Sequence, residues 1–183
     1  MDFEILYLLN NIHTNILDII MITLTYLAEK GILMILLSII LILNNKTRKC
    51  GIFMLITLAL GLLIGNGVIK NIVARQRPCW IDNSVNLLIA NPKDFSFPSG
   101  HTLAAFETAV TIFLFNKKFG IPAIIIAILI GISRLYLFVH FPTDVLGGAA
   151  LGTILSVIVY YTGNKILNKK TERESDNIKK NMA

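Results

Sequence analysis

The fold class this sequence predicts is an all-α polytopic membrane bundle of about six transmembrane helices, on three observations. Of its 183 residues, 55% are apolar and only 15% are charged, with a mean hydropathy of +0.70. Apolar runs of spanning length follow one another with mostly short connections. The basic residues are confined largely to those connections and to the C-terminal end.

Taken in order, the runs predict helices at about 12–28, 31–45, 51–70, 99–115, 119–138 and 142–162. The first two are short, and Glu29-Lys30-Gly31 interrupts them. They are therefore read either as two spans or as one long, kinked helix, and the second reading reverses the side of the N-terminus. The runs leave room for one membrane-embedded domain, residues 1–167, followed by a charged tail, 168–183, expected to be disordered and cytoplasmic. Met1-Asp2-Phe3-Glu4 lacks the basic start of a signal peptide and is read as retained. Cys50 and Cys79 are the only cysteines, and a span separates them, which argues against a disulfide.

A net charge of +6 would suit nucleic acid, but its distribution fits membrane topology better, so no nucleic-acid partner is expected. With six spans, Lys46, Arg48, Lys49, Lys117, Lys118, Lys165, Lys169, Lys170, Arg173, Lys179 and Lys180 fall on the side of the termini. Lys30, Lys70, Arg75, Arg77, Lys93 and Arg134 fall on the other. The excess of eleven over six marks the termini as cytoplasmic in a multi-pass cell-membrane protein. The long connection from Pro78 to Pro98 then faces outward and carries Trp80, Leu87, Leu88 and Ile89. It reads either as a lid over a lipid path or as a surface loop anchored in the interface.

Three strings at span ends carry the chemistry: Lys70-x6-Arg77-Pro78, Pro98-Ser99-Gly100-His101, and Ser133-Arg134-x5-His140-x3-Asp144. Singly, each has an ordinary reading. Lys70 and Arg77 can snorkel to headgroups, Ser99 can cap a helix, and Asp144 can cap beside an exposed histidine. Arg134 is harder to dismiss, because an unpaired guanidinium within a span is costly and should face a polar cavity or an anion. Together the strings place on one membrane face what phosphoryl transfer through a histidine requires. Lys70, Arg77 and Arg134 supply cations, and the helix start at Ser99 and Gly100 offers backbone donors. His140 has an orienting carboxylate in Asp144, and His101 is a second imidazole.

The combined pattern resembles the three-part signature of the type 2 phosphatidic acid phosphatase superfamily, which also includes bacterial acid phosphatases and vanadium haloperoxidases. The resemblance runs from Lys70 to Asp144 at the family's spacing. It implies a lipid phosphatase with phosphate held by Lys70, Arg77, Ser99, Gly100 and Arg134. His140 would attack phosphorus, Asp144 would orient and charge-stabilise His140, and His101 would protonate the leaving oxygen and then activate water. The scheme uses no metal or other cofactor, and no carboxylate cluster suited to Mg²⁺ or motif for Zn²⁺ stands out. The implied partners are a membrane lipid substrate and the bilayer itself, with no obligate protein partner. Among substrates, undecaprenyl diphosphate is the first expectation, with phosphatidylglycerol phosphate or phosphatidate as alternatives. A catalytically silent lipid-phosphate-binding or transport protein is a reading of another class, and the intact His101, His140 and Asp144 speak against it.

Other polar residues within apolar stretches receive structural roles. Asp18 and Glu107 are expected to make structural hydrogen bonds, and Asn66, between Gly65 and Gly67, to serve close helix packing. His13 is expected near the inner face, away from the three strings, with no role.

Overall fold

The computed structural model describes residues 2–181 and contains helices and turns, without a strand among the described residues. Its elements are α1 (Asp2–Asn10), α2 (Asn15–Leu27), a 3₁₀ turn (Glu29–Gly31), α3 (Ile32–Leu43) and α4 (Arg48–Gly61). Next come a π-helical stretch (Leu62–Ile69), α5 (Lys70–Val73) and α6 (Pro78–Ile81). The chain ends with α7 (Gly100–Phe115), α8 (Lys117–Tyr136) and α9 (Pro142–Asn181). Among the described residues, four helical stretches are long and apolar enough to cross a membrane: Asn15–Leu43, Arg48–Ile81, Lys117–Tyr136 and Pro142–Lys170. Gly100–Phe115 is a shorter apolar helix.

Helix α7 is the centre of the bundle and packs against α4, α8 and α9. Small residues permit this. A Cβ added to Gly148 would stand 2.6 Å from the Ser99 carbonyl oxygen, and one on Gly152 would stand 2.7 Å from that of Leu103. Two glycines four residues apart on α9 thus let the backbones of α7 and α9 approach closely. Gly51 does the same between α4 and α3, where an added Cβ would meet the Ser38 carbonyl oxygen at 2.5 Å.

Local signals explain the ends. Thr14 caps α2 by accepting from the Leu17 amide at 3.3 Å, and Asn116 caps α8 by accepting from Lys118 at 3.0 Å. Pro142 opens α9, where its missing N–H costs nothing. The charged segment expected to be a disordered tail instead continues α9 as far as Asn181. Lys, Glu and Arg are good helix formers, and a helix already nucleated by the apolar part of α9 propagates through them. Met182 and Ala183 lie outside the described residues.

The N-terminal region departs from expectation. The Arg75 guanidinium donates to Asp2 at 3.1 Å, and the Tyr7 hydroxyl donates to Asp82 at 2.7 Å. Leu6 is fully buried in a cluster with Cys79, Tyr136, Leu137, Phe138, Val139 and Phe141. These partners belong to the end of the bundle that holds the three strings, so α1 lies there and not at the opposite end. His13, expected far from the strings, stacks on Tyr136 with ring centroids 4.1 Å apart.

Helix α2 starts from that same end and packs against α8. Asp18 accepts from the Tyr136 hydroxyl at 2.5 Å, while Thr25 accepts from Arg134, two residues earlier on α8. The two bonds lie seven residues apart on α2, a rise of ~10 Å, and Ala28 just beyond α2 joins a buried cluster with Ala127 and Ile130, so α2 packs beside α8. The sorting of basic residues is untouched, because no Lys or Arg precedes Lys30.

Candidate active site

A cavity of about 820 Å³ opens at this end of the bundle. Lys70, Arg77, Gly100, His101, Arg134 and His140 all line it, so six of the eight expected site residues converge. Leu55, Leu58, Leu62, Leu103 and Ala104 supply an apolar lining beside them. The polar part can seat an anion, and the apolar part can accept a hydrocarbon chain.

His140 lies in the connection between α8 and α9 and is almost wholly buried. Arg77 donates through Nη1 to its Nε2 at 3.0 Å and to the Val139 carbonyl at 2.8 Å. That bond makes Nε2 an acceptor, so the proton of the neutral ring sits on Nδ1. Burial, then the charges of Arg77, Arg134 and Lys70, push the imidazole well below its ordinary pKa. A neutral ring with a lone pair on Nε2 is the form a nucleophile needs.

Asp144 stands behind the ring, its Oδ2 3.5 Å from Nδ1, which is long for a direct hydrogen bond. Ser96, which the sequence reading did not select, lies between them. Its hydroxyl donates to Asp144 Oδ2 at 2.5 Å and is 3.3 Å from His140 Nδ1. The Phe141 amide donates to the same oxygen at 2.8 Å, and Arg75 donates to Oδ1 at 2.7 Å. Arg75 also lies over the Phe141 ring, 4.2 Å from its centroid. The Asp144 carboxylate behind His140 is thus itself held on three sides.

Ser99 is buried but does not line the cavity, and its side chain makes no capping bond to α7. Its hydroxyl instead accepts from Thr102 at 2.9 Å, and its amide donates to the Asp144 carbonyl at 3.0 Å. The contact with Thr102 replaces the expected cap, while the amide ties the second string to the third. Gly100 and His101 reach the cavity at the start of α7, where the first N–H groups have no partner within the helix.

Asp94, from the long connection, is a second residue the sequence reading missed. It accepts from Lys70 Nζ at 2.5 Å and from Arg77 Nη2 at 2.8 Å, bridging two cations expected to bind phosphate. Burial alone would raise its pKa, but the hydrogen bond and charge of Lys70, with those of Arg77, hold it at about 2. Arg134 lines the cavity with its Nη1 on Thr25, as its position within an apolar helix required.

Glu107 also reaches the cavity, but its buried Oε1 has no hydrogen-bond partner, contrary to the structural bond expected. Asp18 does make such a bond, with Tyr136. Asn66 meets the cavity beside Gly100, whose added Cβ would lie 3.0 Å from Asn66 Oδ1. Among the described residues, no group of three or more His, Cys, Asp or Glu side chains is arranged to hold a metal ion.

The sequence model of the PAP2 superfamily matches residues 50–167, which contain all three strings. The chain belongs to the PAP2 superfamily. Undecaprenyl-diphosphatase BcrC of Bacillus subtilis is 33% identical over 87% of this chain and 83% of its own length. Two solved PAP2-like structures share the architecture. A transmembrane PAP2-type phosphatidylglycerolphosphate phosphatase from Bacillus subtilis is 32% identical with a TM-score of 0.75, covering 90% of this chain and 85% of the other. LpxE of Aquifex aeolicus is 30% identical with a TM-score of 0.78, covering 87% and 94%. This is a membrane protein built on the PAP2 helical frame.

Proposed function

We propose that this PAP2 protein removes the terminal phosphate from a membrane lipid diphosphate, most specifically undecaprenyl diphosphate, through a phosphohistidine on His140. The observation that carries the reading is the grouping of Lys70, Arg77, Arg134, His101 and His140 around one cavity that is also lined by apolar side chains. Three cations and the start of α7 offer dispersed positive charge to a phosphoryl group in flight. His140 Nε2 attacks, and Asp144, with Ser96, fixes the ring. Arg77 must turn from Nε2 to a phosphate oxygen as the substrate enters.

The similarity to BcrC supports undecaprenyl diphosphate, and the similarity to the phosphatidylglycerolphosphate phosphatase supports that lipid as the alternative. The excess of basic residues on the far side of the spans supports an outward-facing site. Purified protein should be assayed for phosphate release from undecaprenyl diphosphate, phosphatidylglycerol phosphate and phosphatidate. The highest kcat/KM is expected on undecaprenyl diphosphate. Preference for either glycerolipid would overturn the substrate, and release from none of them would overturn the enzyme.

A further inference from the structure

The second imidazole has a carboxylate of its own. Glu29 belongs to the 3₁₀ turn between α2 and α3, where Lys30 and Gly31 both adopt left-handed backbone, with φ of 50° and 68°. The turn sets Glu29 against the first turn of α7, with its Oε2 3.3 Å from His101 Nε2. Both residues line the cavity. In sequence they are more than seventy residues apart, and no spacing rule joins them.

From this contact we infer that Glu29 is the positioning carboxylate of His101. The inference rests on the reading of His101 as acid and then base in the proposed reaction. Lys70, Arg77 and Arg134 share the cavity with the ring, and their positive field opposes the imidazolium that an acid must be. Glu29 supplies the opposing charge and takes the Nε2–H, which leaves Nδ1 to serve the substrate.

The step balances. As the His140 Nε2–phosphorus bond forms and the bond from phosphorus to the lipid oxygen breaks, the Nδ1 proton of His101 passes to that oxygen. The ring is left neutral with its remaining proton on Nε2 toward Glu29. Water then gives a proton back to Nδ1 as its oxygen displaces phosphorus from His140. Glu29 exchanges no proton in either step, so its effect on rate should follow the need for acid.

The experiment compares leaving groups in single-turnover phosphorylation of His140. One substrate is phosphatidate, which expels a basic alkoxide, and the other is p-nitrophenyl phosphate, which expels a weakly basic phenolate. Glu29→Gln should slow phosphorylation by phosphatidate on the order of tenfold or more, with KM nearly unchanged, and by the aryl phosphate no more than about threefold. Glu29→Asp should recover part of the loss. In a His101→Ala background, Glu29→Gln should add less than about twofold. Equal losses on the two substrates, or none, would overturn the role of Glu29. If His101→Ala shows the leaving-group dependence and Glu29→Gln does not, this inference falls alone. If His101→Ala shows none, the reading of His101 falls and takes the inference with it.

Discussion

The two imidazoles of the cavity are held in opposite ways. His140 is nearly sealed in a loop, with Arg77 on one ring nitrogen and the Ser96–Asp144 pair behind the other. His101 rides on the first turn of a helix, its side chain 20% exposed, with one carboxylate contact from a turn far away in sequence. The difference matches the tasks proposed for them. A nucleophile gains from being fixed in line with phosphorus, and surrounding cations help by keeping it unprotonated. A group that gives a proton and later takes one back needs a balanced charge and room for a leaving lipid and an arriving water.

The sharpest break between the two sites is removal of each ring. His140→Ala should abolish turnover and leave no acid-labile phosphate on the protein. His101→Ala should keep a measurable phosphorylation step, reduced by ~10²–10⁴ on a lipid with an alkoxide leaving group. Phosphate release and trapping of labelled phosphoprotein check both, and full activity in His140→Ala would end the mechanism.

Next in size is the support of His140. Asp144→Asn should lower kcat by roughly 10³ or more while KM stays within a few-fold, since the binding cations are left in place. Ser96→Ala, which removes the hydroxyl between Asp144 and Nδ1, should cost less, about tenfold in kcat. A Ser96→Ala enzyme with wild-type kcat would show that Asp144 orients the ring without it.

The smallest effect concerns Asp94, whose carboxylate now occupies two of the cations. Asp94→Asn should tighten inhibition by inorganic phosphate or orthovanadate by a few-fold, because the anion no longer has to displace a bound carboxylate. The same pair should be visible in acid. A carboxyl held at about 2 in the folded protein, below its ordinary value near 4, contributes stability at higher pH and loses it as pH falls through that interval. Thermal unfolding in detergent should therefore decline less steeply between about pH 4 and pH 2 in Asp94→Asn than in the parent. An identical decline would show that the ion pair contributes nothing to the fold.

The bundle itself was legible because apolar runs of spanning length admit few alternatives, and the three strings were legible because phosphoryl transfer restricts which residues can do it. Both signals are local in sequence. Glu29, Ser96, Asp94 and Arg75 escaped because each acts through a contact made only on folding, from a turn or loop whose composition is unremarkable. The placement of α1 escaped as well. The nine residues of α1 are too few to span, and their seat beside the three strings is set by contacts such as Arg75 with Asp2 that form only on folding. With no basic residue before Lys30, charge was silent about that region.

The glycine contact between α7 and α9 has a genetic consequence. A methyl group at Gly148 or Gly152 would have to displace backbone on α7, and the Ser99 amide that holds the Asp144 carbonyl would move with it. In a random mutagenesis screen, loss-of-function alleles should therefore gather at positions no substrate ever meets. They would yield protein that inserts normally and is inert, and a map of such alleles would trace the seam between two helices instead of the outline of the pocket.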